Sequence, residues 1–343
     1  MDCKKMFELQ KNIVPEIVST LNERYNILKC IESNQPIGRR LLSTKLDKTE
    51  RIIRTEIDKL KNMELINSIS SGMILTDLGK NLLIELDDLM FDLKNIANLE
   101  SKLKNKLKIN EVFIVSGNTS IDEHGSTKFG RKAADIILKK IKNNDIVGIA
   151  GGTTMALIAD HMKRNDNISN ITIVPARGAL NEELKLQANT VACNFAHKIN
   201  ANYKLLHIPD DLSENELQVV KENETIHEVF DYINNVNVLI FGLGNAHDMA
   251  IRRKANNDIL NTIEKEKLVA ETFGYFFNSK GEMKLQMNSV GIDLIKIENV
   301  ENSIAVAVGK EKADVILAFS NFHKNFSLIT DESTAREILN INI

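Results

Sequence analysis

Gly151-Gly152-Thr153-Thr154 is the stretch of this chain best suited to hold an anion. An apolar run of strand length, Asp145–Ala150, leads into it, and Met155, Ile158, Ala159 and Met162 follow at helical spacing. The glycines let the backbone turn tightly and let an anion approach. The threonines set hydroxyl donors beside the free N–H groups of a new helix, which makes a phosphate cradle. An ordinary strand-to-helix turn with a threonine N-cap has the same appearance in sequence.

Two further strand ends carry similar chemistry. Ile173-Val-Pro-Ala-Arg-Gly178 closes on Arg177, whose planar fork suits a phosphate, and on Gly178. Phe241-Gly-Leu-Gly-Asn-Ala-His-Asp248 is glycine-rich, but it lacks the third glycine and the later acid of a dinucleotide fingerprint. His247 and Asp248 offer acid–base chemistry, although a polar loop role is commoner for such a histidine. Arg252, Arg253, Glu271, Lys310 and Lys312 also stand at or after strand ends. Glu271 suits a sugar hydroxyl and the cations suit phosphates. No Ser/His/Asp or Cys/His set and no metal-spaced histidine cluster is visible, so neither a catalytic residue, a metal nor a cofactor is expected.

The elements that must position these residues change character near residue 110. Beyond it, short apolar strands are expected at 111–117, 145–150, 171–175, 203–208, 236–244, 272–278, 303–309 and 325–330. Helices fill the gaps at 130–143, 184–199, 213–234, 257–268, 311–321 and 333–340. That alternation predicts an open, mostly parallel α/β sheet, whose ligands gather at the carboxyl ends of its strands.

Before residue 110 the pattern is helical. Helices are expected at 11–33 and 39–46, and a third runs to about Met63 with Asp47 as its N-cap and Glu50 completing a capping box. Two short strands then surround Ser71-Gly72. Helix, turn, helix and hairpin in this order spell a winged helix-turn-helix. Residues 36–61 hold eight basic and four acidic side chains, a local excess of +4. Ile53, Ile57 and Leu60 face inward, which leaves Arg39, Arg40, Lys48, Thr49, Arg51 and Arg54 as candidates for duplex DNA. Arginine reads a guanine edge, while lysine and threonine suit phosphates. A long helix from Asp77 to about Lys108 places Leu78, Leu82, Leu86, Leu89, Leu93, Ile96, Leu99, Leu103 and Leu107 near heptad spacing. That seam predicts pairing with another copy of the chain.

The bulk numbers agree with this plan. At 343 residues there is room for two domains, and 43% hydrophobic with 27% charged residues is ordinary globular composition. A net charge of −3 excludes a general basic coat, though not a local patch. Cys3, Cys30 and Cys193 form neither a disulfide framework nor a metal spacing. No apolar run reaches membrane-span length, and no signal sequence is evident. A cytoplasmic location without membrane attachment is therefore expected.

Pro36-Ile-Gly-Arg-Arg40, Gly151-Gly-Thr-Thr154, Val174-Pro-Ala-Arg-Gly178, Met249-Ala-Ile-Arg-Arg253 and Phe273-Gly-Tyr-Phe-Phe277 together resemble the SorC family of sugar-responsive transcription factors. The resemblance covers nearly the whole chain in one register. It implies a winged helix-turn-helix DNA-binding domain over residues 1–88, a linker helix and oligomerisation seam over 89–109, and an effector domain over 110–343 that is similar to sugar-phosphate isomerases and deaminases. It implies a repressor of triose-stage glycolytic genes that forms a homo-oligomer, dimer or tetramer, on double-stranded operator DNA. The implied effector is a sugar phosphate, foremost fructose 1,6-bisphosphate. Carried onto this sequence, the effector-binding positions are Gly152, Thr153, Thr154, Arg177, Gly178, Gln187, Arg252, Glu271 and Lys312. The loop Val308-Gly-Lys-Glu-Lys312 departs from the family pattern by its charge. A second phosphate there requires Glu311 to point away, and Lys310 is available to compensate. Leu180 after Ala179, where the family is similar to a second glycine, is a smaller change. An isomerase- or deaminase-like enzyme is the alternative that the effector fold suggests, although such an enzyme needs no winged helix.

Overall fold

Residues 14, 16–117, 119, 123–180 and 183–341 are described by the computed structural model, and they divide into two units, residues 1–95 and 96–343. In the first, α1 (Ile17–Asn34), α2 (Arg39–Lys45) and α3 (Glu50–Asn62) precede a hairpin of β1 (Ile66–Ile69) and β2 (Gly72–Leu75), and α4 (Asp77–Leu107) follows. Ile27, Leu28 and Ile31 of α1, Leu42 of α2, and Ile53, Ile57 and Leu60 of α3 are all buried and meet Ile66, Met73 and Leu75 of the wing. Ile66 pairs with Leu75 across the antiparallel hairpin. This is the expected winged helix-turn-helix. Residues 11–13 and 15 of the expected first helix lie outside the described residues.

Two local expectations are corrected. The N-cap of α3 is Thr49, whose hydroxyl accepts from Ile52 N at 3.4 Å; Asp47 sits in the preceding turn at φ +51°. The end of α4 is not a free seam. Leu99, Leu103 and Leu107 are buried in the core of the second unit, and Leu83 lies in the core of the first. Burying a leucine stabilises by about 1.5–3 kcal/mol, so these three serve the unit they sit in. Leu78 is exposed, and the side chains of Leu89 and Leu93 lie outside the described residues.

The second unit runs β3 (Glu111–Val115), α5 (Glu123–Leu138), β4 (Ile146–Ile149), α6 (Thr153–His161), β5 (Thr172–Pro175), α7 (Ala188–Ile199) and β6 (Asn202–Tyr203). It continues with α8 (Glu214–Lys221), α9 (Glu224–Asn234), β7 (Val238–Gly242), β8 (Gly244–Asn245), α10 (Ala246–Arg252) and α11 (Asn257–Lys265). Then come β9 (Leu268–Thr272), β10 (Tyr275–Asn278), β11 (Met283–Gln286), β12 (Asn302–Val306), α12 (Ala313–Phe322), β13 (Ser327–Asp331) and α13 (Glu332–Asn340). Seven strands form an all-parallel sheet in the order β3-β13-β12-β7-β4-β5-β6. Strands buried on both faces read as unbroken apolar runs, as Val238-Leu-Ile-Phe241 does.

Elsewhere the pattern differs from expectation for physical reasons. A second, antiparallel sheet in the order β11-β10-β9-β8 lies where a helix to 268 and one strand from 272 were expected. Phe273 and Gly274 both take positive φ and turn β9 back onto β10. Asn223 interrupts the expected helix 213–234, because its side chain caps α9 through Thr225 N and Ile226 N. The strand expected over 203–208 stops at Tyr203, and the following loop carries Asp210 inward.

Candidate functional site

The strand order reverses between β4 and β7. From β4 the chain proceeds outward to β5 and β6, and from β7 it proceeds the other way to β12 and β13. A crevice must open beyond the carboxyl ends of that pair. A pocket lies there, walled by Gly151–Met155 after β4, Gly242–Asn245 from the end of β7 and Val306–Val308 from the end of β12. Ala150, Arg177, Asp248, Met249, Arg252, Glu271, Thr272, Phe273 and Lys312 complete the wall.

On the β4 side, Gly152 precedes α6 at φ +106° and no side chain caps the helix. The threonine N-cap that the sequence also allowed is therefore absent. The first-turn residues Thr153 and Thr154 line the pocket, where unpaired N–H groups and the positive end of the helix favour an anion. Lys312 stands on the β12 side, and Arg252, the last residue of α10, lies near it. Lys312 is half-buried, and burial pushes its ammonium down while Glu311 is the first of the nearby acids that pull it back up.

Glu271 forms the floor and is 2% exposed. Its Oε1 accepts from Gly274 N at 2.7 Å and from Arg253 at 3.1 Å and 3.3 Å. Its Oε2 is turned towards Gly244, a residue of the pocket wall. One oxygen is thus fixed by the protein and the other faces the site, as a hydroxyl acceptor requires. Arg253 also donates to Asp210 Oδ2 at 2.7 Å, and Asp210 accepts from Ser289 Oγ at 3.1 Å and Val290 N at 3.2 Å. Burial pushes the Asp210 carboxyl up, and Arg253 and Arg177 pull it back. This buried cluster escaped the sequence. Arg253 was visible as one of two adjacent arginines, but nothing marked Asp210 as its partner.

Seven of the nine expected effector positions line the pocket: Gly152, Thr153, Thr154, Arg177, Arg252, Glu271 and Lys312. Gly178 and Gln187 do not. Gly178 is buried beneath Ile208 and Pro209, and its N–H donates to Val290 O at 2.8 Å. The Gln187 amide accepts from Leu180 N at 3.2 Å and donates to Leu180 O, so it braces the loop after Arg177. His247 is exposed and outside the wall, and its N–H donates to Asn245 Oδ1 at 3.0 Å. Among the described residues no cluster of histidine, cysteine or carboxylate side chains is arranged to hold a metal.

In the first unit, Arg39, Arg40, Lys48, Thr49, Arg51 and Arg54 are all exposed, the first two at the start of α2 and the rest at or near the leading end of α3. Arg51 and Arg54 stand clear of the buried stripe Ile53, Ile57, Leu60. Arg40 Nε lies 3.5 Å from Glu50, and Lys48 Nζ lies 3.3 Å from Glu23. Such exposed pairs are weak and yield readily to phosphates. Glu56 was not anticipated. It is buried and held by Arg24 at 2.8 Å and Lys59 at 2.7 Å, which ties α3 to α1.

A winged helix-turn-helix joined to an α/β unit with a ligand pocket at its switch point defines a transcription regulator that answers to a small molecule. The sequence comparisons agree. Residues 20–90 match the "CggR N-terminal DNA binding domain", and residues 92–340 match the family described as "Putative sugar-binding domain". The chain is 35% identical over 335 residues to the central glycolytic genes regulator of Bacillus subtilis, covering 98% of each. It is 36% identical over 337 residues to that of Priestia megaterium, again covering 98% of each. The crystal structure of a SorC-family transcriptional regulator from Enterococcus faecalis is similar at a TM-score of 0.66 and 30% identity, over 71% of this chain and all of that one. The chain belongs to the SorC family, among the central glycolytic genes regulators. It is a regulator and not an enzyme.

Proposed function

We propose that this chain is a cytoplasmic repressor of glycolytic genes of the triose stage, whose hold on double-stranded operator DNA is weakened by fructose 1,6-bisphosphate. The observation that carries the reading is the placement of two phosphate-suited ends across one strand. The cradle of α6 follows β4, Lys312 follows β12, and β7 lies between them in the sheet. Two interstrand spacings amount to about 9–10 Å, which suits phosphates at the two ends of a hexose. In this reading Glu271 Oε2, which lies towards Gly244 of the wall, accepts from the sugar hydroxyls. The ligand acts as an effector and not as a cofactor. Gly178 and Gln187 support the loop that presents Arg177.

The effector must bind the DNA-competent and DNA-incompetent states differently, with a coupling of about 1–3 kcal/mol typical of such switches. A homo-oligomer of two or four chains on related half-sites fits a winged-helix regulator. No helix among the described residues is long and apolar enough to cross a membrane. The test is calorimetry on wild type, Thr154→Val and Arg177→Ala, paired with operator titrations with and without fructose 1,6-bisphosphate. Weakened ligand binding in both variants is expected, together with weakened operator binding by liganded wild type. Wild-type ligand affinity in both variants would show the site to be elsewhere, and an operator affinity indifferent to ligand would refute the switch.

A further inference from the structure

The two poles of the pocket are neutralised differently. The β4 pole consists of glycine backbone, two threonines and the start of α6. At the β12 pole, Arg252 and Lys312 are accompanied by Asp248 in the pocket wall and by Glu311 immediately before Lys312. Glu311 is exposed, yet its carboxylate turns back along the chain. Gly309 takes φ +104°, its N–H donates to Thr334 Oγ1 at 2.9 Å, and its carbonyl accepts from Lys312 N at 2.9 Å. The Glu311 carboxylate folds back into the space that a Cβ on Gly309 would occupy. It therefore sits where the chain enters α12, the place where helix N–H groups favour an anion. Lys310, which was expected to compensate, is exposed and outside the pocket wall. Glu311 is also outside the wall, but with Asp248 and Glu271 it lies close enough to offset the charge of Lys312 and Arg252.

We infer that Glu311 is a specificity residue, an internal anion that opposes a second phosphate at the β12 pole and sets the preference between singly and doubly phosphorylated sugars. This rests on the sugar-phosphate reading of the pocket. The chain then holds a bisphosphate less tightly than its cations alone would allow, while a sugar whose only phosphate lies in the α6 cradle is indifferent to Glu311. The discrimination is electrostatic and weakens with salt.

The experiment is calorimetry on the full chain with fructose 1,6-bisphosphate and with fructose 6-phosphate, at low and at high salt. Wild type is compared with Glu311→Gln and with Glu301→Gln. Glu311 is exposed, so its replacement leaves the fold intact. Glu301 pairs with Lys142 next to the amino end of β12, so its replacement removes the same charge far from the pocket. Glu311→Gln is expected to tighten the bisphosphate about fivefold at low salt, the order of one carboxylate acting on a dianion across a solvated gap. Fructose 6-phosphate should stay within about twofold, and Glu301→Gln should change neither ligand. Equal shifts for both sugars, or none, would overturn the role of Glu311 and leave the pocket in place. Failure of wild type to bind either sugar would overturn the sugar-phosphate reading itself, and the role of Glu311 with it.

Discussion

Replacing Arg253 by methionine tests whether the buried cluster beneath the pocket holds the effector unit together. The Arg253 side chain is 3% exposed and lies between Asp210, 0% exposed, and Glu271, 2% exposed. Methionine fills much of the same space but leaves two carboxylates buried without the cation they share, with Arg177 still acting on Asp210. Removing one partner of a buried pair costs about 3–5 kcal/mol, a large share of a typical domain stability of roughly 5–15 kcal/mol. The loss must depend on pH. Asp210 already has its carboxyl raised by burial, and without Arg253 it rises further above the unfolded value of about 3.9. A carboxyl raised in the folded state favours folding below that unfolded value and loses the contribution as pH climbs through the folded one. Each tenfold difference in proton affinity between the two states is worth about 1.4 kcal/mol. The Arg253→Met variant should therefore be closer to wild type at about pH 5 than at about pH 8. Urea unfolding followed by circular dichroism at both pH values measures the gap, and adding Asp210→Asn should recover part of the loss at the higher pH. A gap below about 1 kcal/mol, or one that does not change with pH, would show that the cluster is not charged in the way its geometry implies.

Two further outcomes follow from the described packing. Leu103→Ala should cost about 2–5 kcal/mol in urea unfolding, because Leu103 is fully buried in the second unit. Light scattering should find the folded variant in the same oligomeric state as wild type; an undiminished stability with a dissociated oligomer would reinstate the continuous seam. Arg51→Ala or Arg54→Ala should weaken operator binding by about 1–3 kcal/mol if the side chain reads a base edge, while leaving stability near wild type. Anisotropy titrations across a salt series check this, since contacts to phosphate alone would lower the salt slope without loss of sequence preference.

The parallel sheet was legible because strands buried on both faces carry unbroken apolar runs, and the pocket was legible because glycine, threonine and arginine stand at their ends. What stayed hidden depends on partners distant in sequence. Leu99, Leu103 and Leu107 have the spacing of a coiled-coil seam, and spacing alone does not say whether a helix packs on a partner or on its own domain. Leu268–Thr272 follows α11 so closely that helical and extended patterns merge, and only the turn at Phe273 and Gly274 separates them. Asp47 and Thr49 both suit an N-cap, and the backbone at Asp47 decides between them. Gln187 is polar and near the site, yet the backbone of Leu180 claims its amide.

The double allegiance of α4 bears on how such a protein can be taken apart or recombined. The DNA-binding match ends at residue 90 and the sugar-binding match begins at 92, within a helix that runs on to Leu107. A fragment cut at residue 110 would carry the whole pocket but forfeit three core leucines, exposing the apolar surface they cover. An excised sensor needs those turns as its lid. Exchange of DNA-binding modules among relatives must cut upstream of Ile96, so the closing turns of the helix travel with the domain that binds the sugar.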